Sequence, residues 1–233
     1  MKKLFWLHIK KSAGQSTRKA LKPHYIEVDR SKPQSFIQSK EYEYNDILNN
    51  YRTPLGDYQF KRSLFAKNFL FKEEWDSIFS FAFSREPIDR CLSMFYYLFW
   101  SGLKSRFYSS LKSRKILLND SYAFDYFLEL IMKNQNINSY PENMHFTTHT
   151  NPMWNDITDN NDNILLSKVF RLENFREGID YALTMIDKKS SNRDLTKVNS
   201  NQRRGSFNPS ISQIKKIQKI YKKDFDLYES INF

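Results

Sequence analysis

Two short segments of the chain combine residue types that could bind a phosphate or a sulfate group. The first runs from residue 8 to residue 17 and reads HIKKSAGQST. Its hydroxyl groups could donate hydrogen bonds, Lys11 supplies a mobile positive charge, and its glycine would let the backbone approach an anion closely. The candidate contacts in this segment are Lys11, Ser12, Ala13, Gly14, Gln15, Ser16 and Thr17. Together they predict a site for an anionic group.

The two elements that flank this segment favour the same interpretation. Residues Leu4 to Ile9 form a compact apolar run that predicts a short buried strand, and residues Gln15 to Leu21 predict a helix that ends before Pro23. A helix that follows such a strand offers unpaired backbone N–H groups and a partial positive charge of roughly half a unit. The alternative is a helix-capping turn whose lysines are incidental, and the residues of this segment leave both interpretations open.

The segment does not match the phosphate-binding loop of nucleoside triphosphatases, G-x-x-x-x-G-K-[ST]. The leading glycine of that pattern is absent, and Lys11 precedes Gly14 instead of following a glycine directly. A nucleotide or sugar kinase would need that loop together with a magnesium-binding acid. The pattern therefore argues against a kinase.

The second segment, residues 81–97, joins a predicted strand to a predicted helix. Residues Ser77 to Phe83 form the best strand candidate of the chain, and Pro87 suits the first turn of a helix, where its missing N–H is not needed. Apolar residues at helical spacing extend this helix from Ile88 to Trp100. Open α/β sheets bind ligands at the carboxyl ends of their strands, so side chains at this junction are candidate ligand contacts.

Arg85 and Ser93 are the side chains at this junction that could bind a phosphate. Arg85 follows the strand and could grip two phosphate oxygens, and Ser93, about two helical turns further on, could donate another hydrogen bond. The alternative is that Arg85 pairs with Glu86 or Asp89 while Ser93 only packs. The residues of this segment leave both interpretations open.

The rest of the chain predicts strands that alternate with helices. The further elements are strands at Tyr25 to Val28 and Lys168 to Leu172, and helices at Tyr122 to Met132, Phe175 to Ile186 and Ile211 to Leu227, with loops at residues 31–54, 155–163 and 188–204. This alternation indicates an α/β fold, a three-layer sandwich with a central, mainly parallel sheet. We predict a single domain over residues 1–233.

Composition narrows the class of protein. Of 233 residues, 40% are hydrophobic and 16% aromatic, which is enough apolar side chain for a folded core. The 37 Lys and Arg residues exceed the 26 acidic ones and give a net charge of +11, which attracts anions of many kinds. A basic nucleic-acid-binding module is therefore an alternative. The aromatic residues lie mostly in apolar runs, which favours core packing over base stacking.

Cysteine usage and hydropathy predict a cytoplasmic protein. Cys91 is the only cysteine, so no intrachain disulfide can form. The apolar run near the N-terminus stops before Lys10 and is too short for a signal peptide. No stretch of the sequence is long and apolar enough to span a bilayer.

Together, the two segments resemble the nucleotide-binding elements of sulfotransferases that use 3′-phosphoadenosine 5′-phosphosulfate (PAPS). They are most similar to carbohydrate O-sulfotransferases of the heparan sulfate 2-O and 6-O type and their bacterial relatives. The family pattern H-[IV]-P-K-[ST]-[AG]-G-[ST]-[ST] corresponds to residues 8–16, with Lys10 in place of the usual Pro and Gln15 in place of a usual Thr. The pattern R-[DE]-P-x-x-R-x-x-S matches Arg85 to Ser93 at every defined position.

The resemblance implies a P-loop-NTPase-like sulfotransferase fold and a role for each segment. Lys11 and the turn after it would hold the 5′-phosphosulfate and stabilise charge on the bridging oxygen, while Arg85 and Ser93 would bind the 3′-phosphate. A weaker likeness at residues 199–228 implies a loop over the nucleotide, with Arg203, Arg204 and Gly205 as contacts. The implied acceptor is a hydroxyl, expected on a saccharide. The product is adenosine 3′,5′-bisphosphate, and no metal, nucleic acid or membrane span is expected.

The general base is not determined by the resemblance. Close relatives carry a His in the loop before the arginine-bearing strand, whereas the corresponding residues 56–62 read GDYQFKR. Asp57 is the first choice by position, and Glu27 is the second, because another branch of the family uses a Glu in about that place. The remaining candidates are His8, His24, His145 and His149. The missing histidine also leaves open a catalytically degenerate nucleotide-binding protein of the same fold.

Overall fold

The computed structural model describes residues 3–24, 55–100, 120–134, 144–188 and 207–232. The strands are β1 (Leu4–Trp6), β2 (Phe79–Ser84) and β3 (Lys168–Arg171). The α-helices are α1 (Gly14–Leu21), α2 (Arg62–Phe65), α3 (Pro87–Phe95), α4 (Asp120–Asn134), α5 (Met144–Thr150), α6 (Met153–Ile157), α7 (Phe175–Thr184), α8 (Ile211–Ile220) and α9 (Lys222–Ser230). Short 3-10 turns lie at Lys22–His24, Gly56–Tyr58, Lys72–Ser77 and Leu172–Asn174, and α2 and α3 continue into the π-helical turns Ala66–Phe71 and Tyr96–Trp100.

The three strands form a parallel sheet in the order β1-β2-β3. In its register Phe5 lies beside Ser80, and Ala82 lies beside Val169. Because all three strands run in the same direction, their carboxyl ends meet at one edge. The residues that follow Trp6 and Ser84 therefore lie at the same edge of the sheet, which brings the two candidate segments together.

Alternate residues of each strand are buried on opposite faces of the sheet. Phe5, Ala82 and Val169 pack into a core with residues of α2, α6 and α9. Trp6 and Phe81 pack into a second core with residues of α1 and α7. Side chains of a strand point alternately to the two faces of its sheet, and here both faces are buried. Helices therefore cover the sheet on both sides. The α/β three-layer prediction is thus confirmed.

A third core joins the helices that carry the candidate site. The ring centroids of Phe95 and Phe124 lie 5.1 Å apart, and those of Phe127 and Phe146 lie 5.9 Å apart, so α3, α4 and α5 share one aromatic cluster. Ile217 of α8 is fully buried in the same core. Each of these side chains contributes roughly 1.5–3 kcal/mol by burial, which fixes α3 and α5 relative to one another.

The last predicted helix is interrupted in the structure. Ile211 to Leu227 was expected to be continuous, but α8 and α9 are separated at Tyr221, whose backbone leaves the helical region (φ −113°, ψ 30°). The Tyr221 ring is buried, and its hydroxyl donates a 2.9 Å hydrogen bond to the carbonyl of Thr150 in α5. Ile217 and Ile220 of α8 are buried, whereas Ile211 at the start of the helix is 76% exposed. Tertiary contacts of the tyrosine therefore override local helix periodicity here.

Several further predictions differ in their boundaries, two of them in β1 and near α6. β1 ends at Trp6 instead of Ile9, because the Ile9 N–H turns back to the carbonyl of Leu7 at 3.1 Å. The predicted loop at residues 155–163 begins inside α6, and Thr158 forms an antiparallel bridge with Ile164. Local side-chain hydrogen bonds hold this bridged turn, since the Asp159 carboxylate accepts from backbone N–H groups two and four residues further on.

Several predictions lie outside the described residues. These are the strand at Tyr25 to Val28, the loop at residues 31–54, and the loop at residues 188–204 beyond its first residue. The single domain over residues 1–233 stays a prediction for the same reason. Among the helices that the structure describes, none combines the length and hydropathy needed to cross a membrane.

Candidate functional site

The turn between β1 and α1 has a strained backbone. Lys11 (φ 67°) and Ala13 (φ 57°) both adopt the left-handed conformation, and they flank Ser12. Non-glycine residues in this conformation carry strain that is typical of binding sites. The N–H of Ser12 is used within the turn, where it donates to the carbonyl of Ile9 at 3.2 Å. The helix that follows begins at Gly14 and adds the positive end of its dipole.

Ser12 supplies a buried hydroxyl inside this turn. Its side chain is 2% exposed, and its Oγ has no hydrogen-bond partner among the described residues. A buried polar group without a partner costs about 1–3 kcal/mol, which an oxygen of a bound phosphate or sulfate would offset. Ser16 is buried nearby in α1. The Thr17 hydroxyl instead donates to the carbonyl of Ala13 at 3.1 Å, so its hydrogen stabilises the turn itself.

Gly14 has a packing role that the sequence did not indicate. The imidazole of His8 lies against its Cα, so that a Cβ at this position would overlap the ring. On its other side the His8 ring stacks on Trp6, with centroids 5.1 Å apart. His8 is therefore held between β1 and the start of α1, and the close approach of its side chain requires Gly14.

Replacing Gly14 by Ala should destabilise the protein by about 1–3 kcal/mol, the usual effect of overpacking a close contact. Urea unfolding would measure the loss, and the double variant Gly14→Ala with His8→Ala should recover part of it because the imidazole is removed. Ala13→Gly is the matched control: glycine adopts a φ of 57° without strain, so stability should not fall. Wild-type stability in Gly14→Ala would contradict the contact.

Arg85 connects the two candidate segments directly. Its Nη1 donates to the carbonyl oxygen of Lys11 at 3.3 Å, although the two residues are 74 positions apart in sequence. Its Nη2 lies 3.3 Å from Asp89 Oδ2, so the alternative pairing expected from the sequence is also present. That carboxylate is 60% exposed, and exposed ion pairs contribute only about 0–1 kcal/mol. Glu86 instead caps α3 by accepting the N–H of Asp89 at 2.7 Å.

Arg90 is a second arginine of the same motif, and sequence reasoning gave it no role. Its side chain is 2% exposed and donates to the carbonyls of Lys10 at 3.1 Å and Asn151 at 2.7 Å. It also contacts the carbonyl of His149 and the carboxylate of Asp224, each at 3.4 Å. Its fixed place in the motif R-[DE]-P-x-x-R-x-x-S is the signal that could have identified it.

Asp224 completes this buried network from the C-terminal helix. Its carboxylate accepts the N–H groups of Met153 and Trp154, each at 2.9 Å, and so caps α6 from another part of the chain. Burial raises the pKa of Asp224, and the adjacent Arg90 guanidinium opposes that shift. The network thereby joins α3, α6 and α9 to the turn after β1.

Lys11 and His149 contact the same aromatic ring. The Lys11 ammonium lies 4.2 Å from the centroid of the Tyr97 ring, and the His149 imidazole stacks on that ring with centroids 4.9 Å apart. Ser93 is buried on α3. It comes three residues after Arg90 and four before Tyr97, a spacing that favours the same side of the helix. Tyr97 was missed, although its position four residues after Ser93 could have suggested it.

The other base candidates lie in different surroundings. Asp57 is exposed on the 3-10 turn Gly56–Tyr58. Burial lowers the pKa of His24, and Lys188 lowers it further. His145 lies on α5, one helical turn before His149, and their rings meet edge to face at 4.4 Å. Glu27, Arg203, Arg204 and Gly205 lie outside the described residues. Within the described ranges, no group of three or more His, Cys, Asp or Glu could hold a metal ion.

Comparison with known proteins gives one match. A family model described as the sulfotransferase family matches residues 1–229. No curated protein and no solved structure matches the chain significantly. The family match spans both candidate segments and nearly the whole sequence, and it confirms the resemblance on which the site was predicted. This chain belongs to the sulfotransferase family, whose members transfer sulfuryl groups.

Proposed function

We propose that the protein transfers the sulfuryl group of PAPS to a hydroxyl group of a saccharide acceptor. The observation that supports this proposal is the hydrogen bond from Arg85 to the carbonyl of Lys11, which brings together two segments that each suit a phosphate. PAPS carries two separate anionic groups on its ribose, a phosphate at the 3′ position and a phosphosulfate at the 5′ position. A site with a lysine turn on one side and a buried arginine on the other matches that distribution of charge.

The residues divide into two groups according to the end of the nucleotide that they would contact. Lys11, the N-terminus of α1 and the Ser12 hydroxyl suit the 5′-phosphosulfate, and Arg85 with Ser93 suits the 3′-phosphate. The other proposed contacts of the turn are Ala13, Gly14, Gln15, Ser16 and Thr17, and those of the C-terminal loop are Arg203, Arg204 and Gly205. Among the described residues the Ser12 hydroxyl has no hydrogen-bond partner, so a hydrogen bond to an anionic oxygen would stabilise this turn.

The proposed reaction is an in-line displacement at sulfur. The acceptor oxygen forms a new S–O bond, the S–O bond to the 5′-phosphate breaks, and adenosine 3′,5′-bisphosphate leaves with the electron pair. Lys11 stabilises the charge that develops on the bridging oxygen. To do so its ammonium leaves the face of Tyr97, and a cation–π contact of this kind is worth only about 0.5–1 kcal/mol.

Calorimetry with adenosine 3′,5′-bisphosphate, ATP and AMP tests this function without an acceptor. We expect selective binding of the bisphosphate, because it alone carries phosphates at both the 3′ and the 5′ position of the ribose. Equal or tighter binding of ATP would contradict the proposal, and tight binding of nucleic acid would favour a basic binding module. Bisphosphate binding without turnover would indicate a catalytically degenerate member of the family. The saccharide class of the acceptor and a cytoplasmic location stay predictions.

Arg85→Ala should weaken bisphosphate binding about 10- to 150-fold, because a charged hydrogen-bonding group contributes about 1.5–3 kcal/mol. The affinity of AMP, which lacks the 3′-phosphate, should change much less. Arg176→Ala on the exposed surface of α7 removes the same charge and serves as the matched control. An equal loss for both nucleotides would show that Arg85 acts on the fold and not on the 3′-phosphate.

A further inference from the structure

His149 lies beside the lysine turn, and two separate sets of contacts hold it there. Its ring stacks on Tyr97, the same ring that the Lys11 ammonium contacts. Its backbone carbonyl accepts from Arg90, whose guanidinium also binds the carbonyl of Lys10. The side chain and the backbone of His149 are thus connected to residues 10 and 11 by different partners. Its location next to the turn does not depend on one contact alone.

A hydrogen bond within α5 fixes the tautomer of His149. Its Nδ1 lies 2.7 Å from the backbone carbonyl oxygen of His145. A carbonyl oxygen can only accept, so Nδ1 must carry the proton. In the neutral ring Nε2 then holds the lone pair, which is the arrangement that a histidine needs in order to remove a proton from another group.

The surroundings of this ring favour its neutral form. His149 is 7% exposed, and burial lowers its pKa well below the usual value. The imidazole of His145 and the ammonium groups of Lys10 and Lys11 lower the pKa further, while the hydrogen bond to the His145 carbonyl opposes this shift. Tyr97 also faces the ring. The ring therefore keeps its Nε2 lone pair free at neutral pH, and the burial and positive charges that keep it neutral also make it a weaker base than an exposed histidine.

We infer that Nε2 of His149 is the general base of the proposed sulfuryl transfer. This inference rests on the proposed function and supplies the proton acceptor that the sequence left open. The acceptor hydroxyl gives its proton to Nε2 as its oxygen bonds to sulfur, and the bisphosphate leaves with the electron pair of the broken S–O bond. The base therefore comes from α5, on the C-terminal side of the Arg85 motif, whereas close relatives carry a His before the corresponding strand.

Nitrogen-15 NMR of the histidine-labelled protein tests the tautomer without nucleotide or acceptor. At pH 7 we expect His149 to be neutral, with the proton on Nδ1 and with Nε2 unprotonated. The resonances are assigned by their loss in His149→Ala. An imidazolium ring, or a neutral ring protonated on Nε2, would overturn the inference.

Two substitutions separate the base from its structural hydrogen bond. In His149→Asn the side-chain amide can still donate to the carbonyl of His145, but nothing replaces Nε2. In His149→Ala both functions are lost. We expect both variants to lose about 10²- to 10⁴-fold in turnover, the usual contribution of a general base, while only His149→Ala also loses thermal stability. Asp57 is the candidate base that its position in the sequence favoured. Asp57→Asn should lose much less turnover than either His149 variant.

Turnover is measured as the release of ³⁵S from labelled PAPS, to water and to desulfated heparin or chondroitin, with bisphosphate affinity measured in parallel. Near-normal turnover of His149→Asn would overturn the inference and leave the proposed function standing. Failure of the wild type to bind the bisphosphate would overturn the proposed function itself. Bisphosphate binding by a wild type that turns over none of these substrates would exclude a catalytic base and indicate a degenerate enzyme.

Discussion

Lys11→Ala is expected to lower sulfuryl transfer at least 10²- to 10³-fold while the protein stays folded. Removal of one preorganised donor to a developing negative charge has an effect of this size, and a full positive charge has at least as much. The fold should tolerate the change, since Ala occupies the left-handed backbone at this position about as well as Lys does. The hydrogen bond from Arg85 uses the Lys11 backbone carbonyl and is retained.

The measurement for Lys11→Ala is the release of ³⁵S from labelled PAPS, with urea unfolding to verify stability. Loss of the contact with Tyr97 should reduce stability by no more than about 1 kcal/mol. Lys19→Ala, in the last turn of α1 and exposed, removes the same charge from the same helix and should keep its turnover. Turnover of Lys11→Ala equal to that of Lys19→Ala would refute the role of Lys11.

Arg90→Met is expected to destabilise the fold by about 3–5 kcal/mol, the largest stability effect that we predict. The substitution leaves the carboxylate of Asp224 fully buried without its cation, and breaking a buried pair from one side has a cost of this size. The carbonyls of Lys10, His149 and Asn151 lose a donor at the same time. Urea unfolding at neutral pH measures the effect.

The pH dependence of Arg90→Met follows from the same carboxylate. Burial already raises the pKa of Asp224, and removal of the guanidinium raises it further, because that charge opposed the shift. When the pKa of a carboxyl is higher in the folded than in the unfolded protein, the carboxyl stabilises the fold at acid pH. That stabilisation is lost as the pH rises through the folded-state pKa. The deficit of Arg90→Met relative to wild type should therefore be largest at neutral pH and shrink as the pH falls.

Two further variants distinguish the buried charge from a general loss of packing. The double variant Arg90→Met with Asp224→Asn removes the uncompensated charge, so it should be more stable than Arg90→Met alone. Arg171→Met is the matched control. Arg171 also donates to two carbonyls, those of Tyr228 and Glu229, but within the described ranges it pairs with no buried carboxylate. Equal losses in Arg90→Met and Arg171→Met, without pH dependence, would contradict the role assigned to Asp224.

The sequence by itself determined the sheet, the two segments at its edge and the family. Apolar runs such as Phe79–Ser84 specify buried strands, and parallel strands bring their carboxyl ends to one edge. Pro87 set the start of α3 within one residue of its predicted position. These features could be predicted because they depend on local periodicity, on backbone chemistry and on motifs contained within ten residues.

Only the tertiary structure decided which side chains of the site meet. Arg90 and Asp224 are 134 residues apart, and Arg85 and Lys11 are 74 apart, so no local pattern predicts either contact. The break at Tyr221 and the position of His149 likewise result from packing between separate helices. A sequence records which groups can carry charge or accept a proton. Folding decides which of these groups are buried and which neighbours they contact, and those surroundings determine which group is positioned to bind charge or accept a proton.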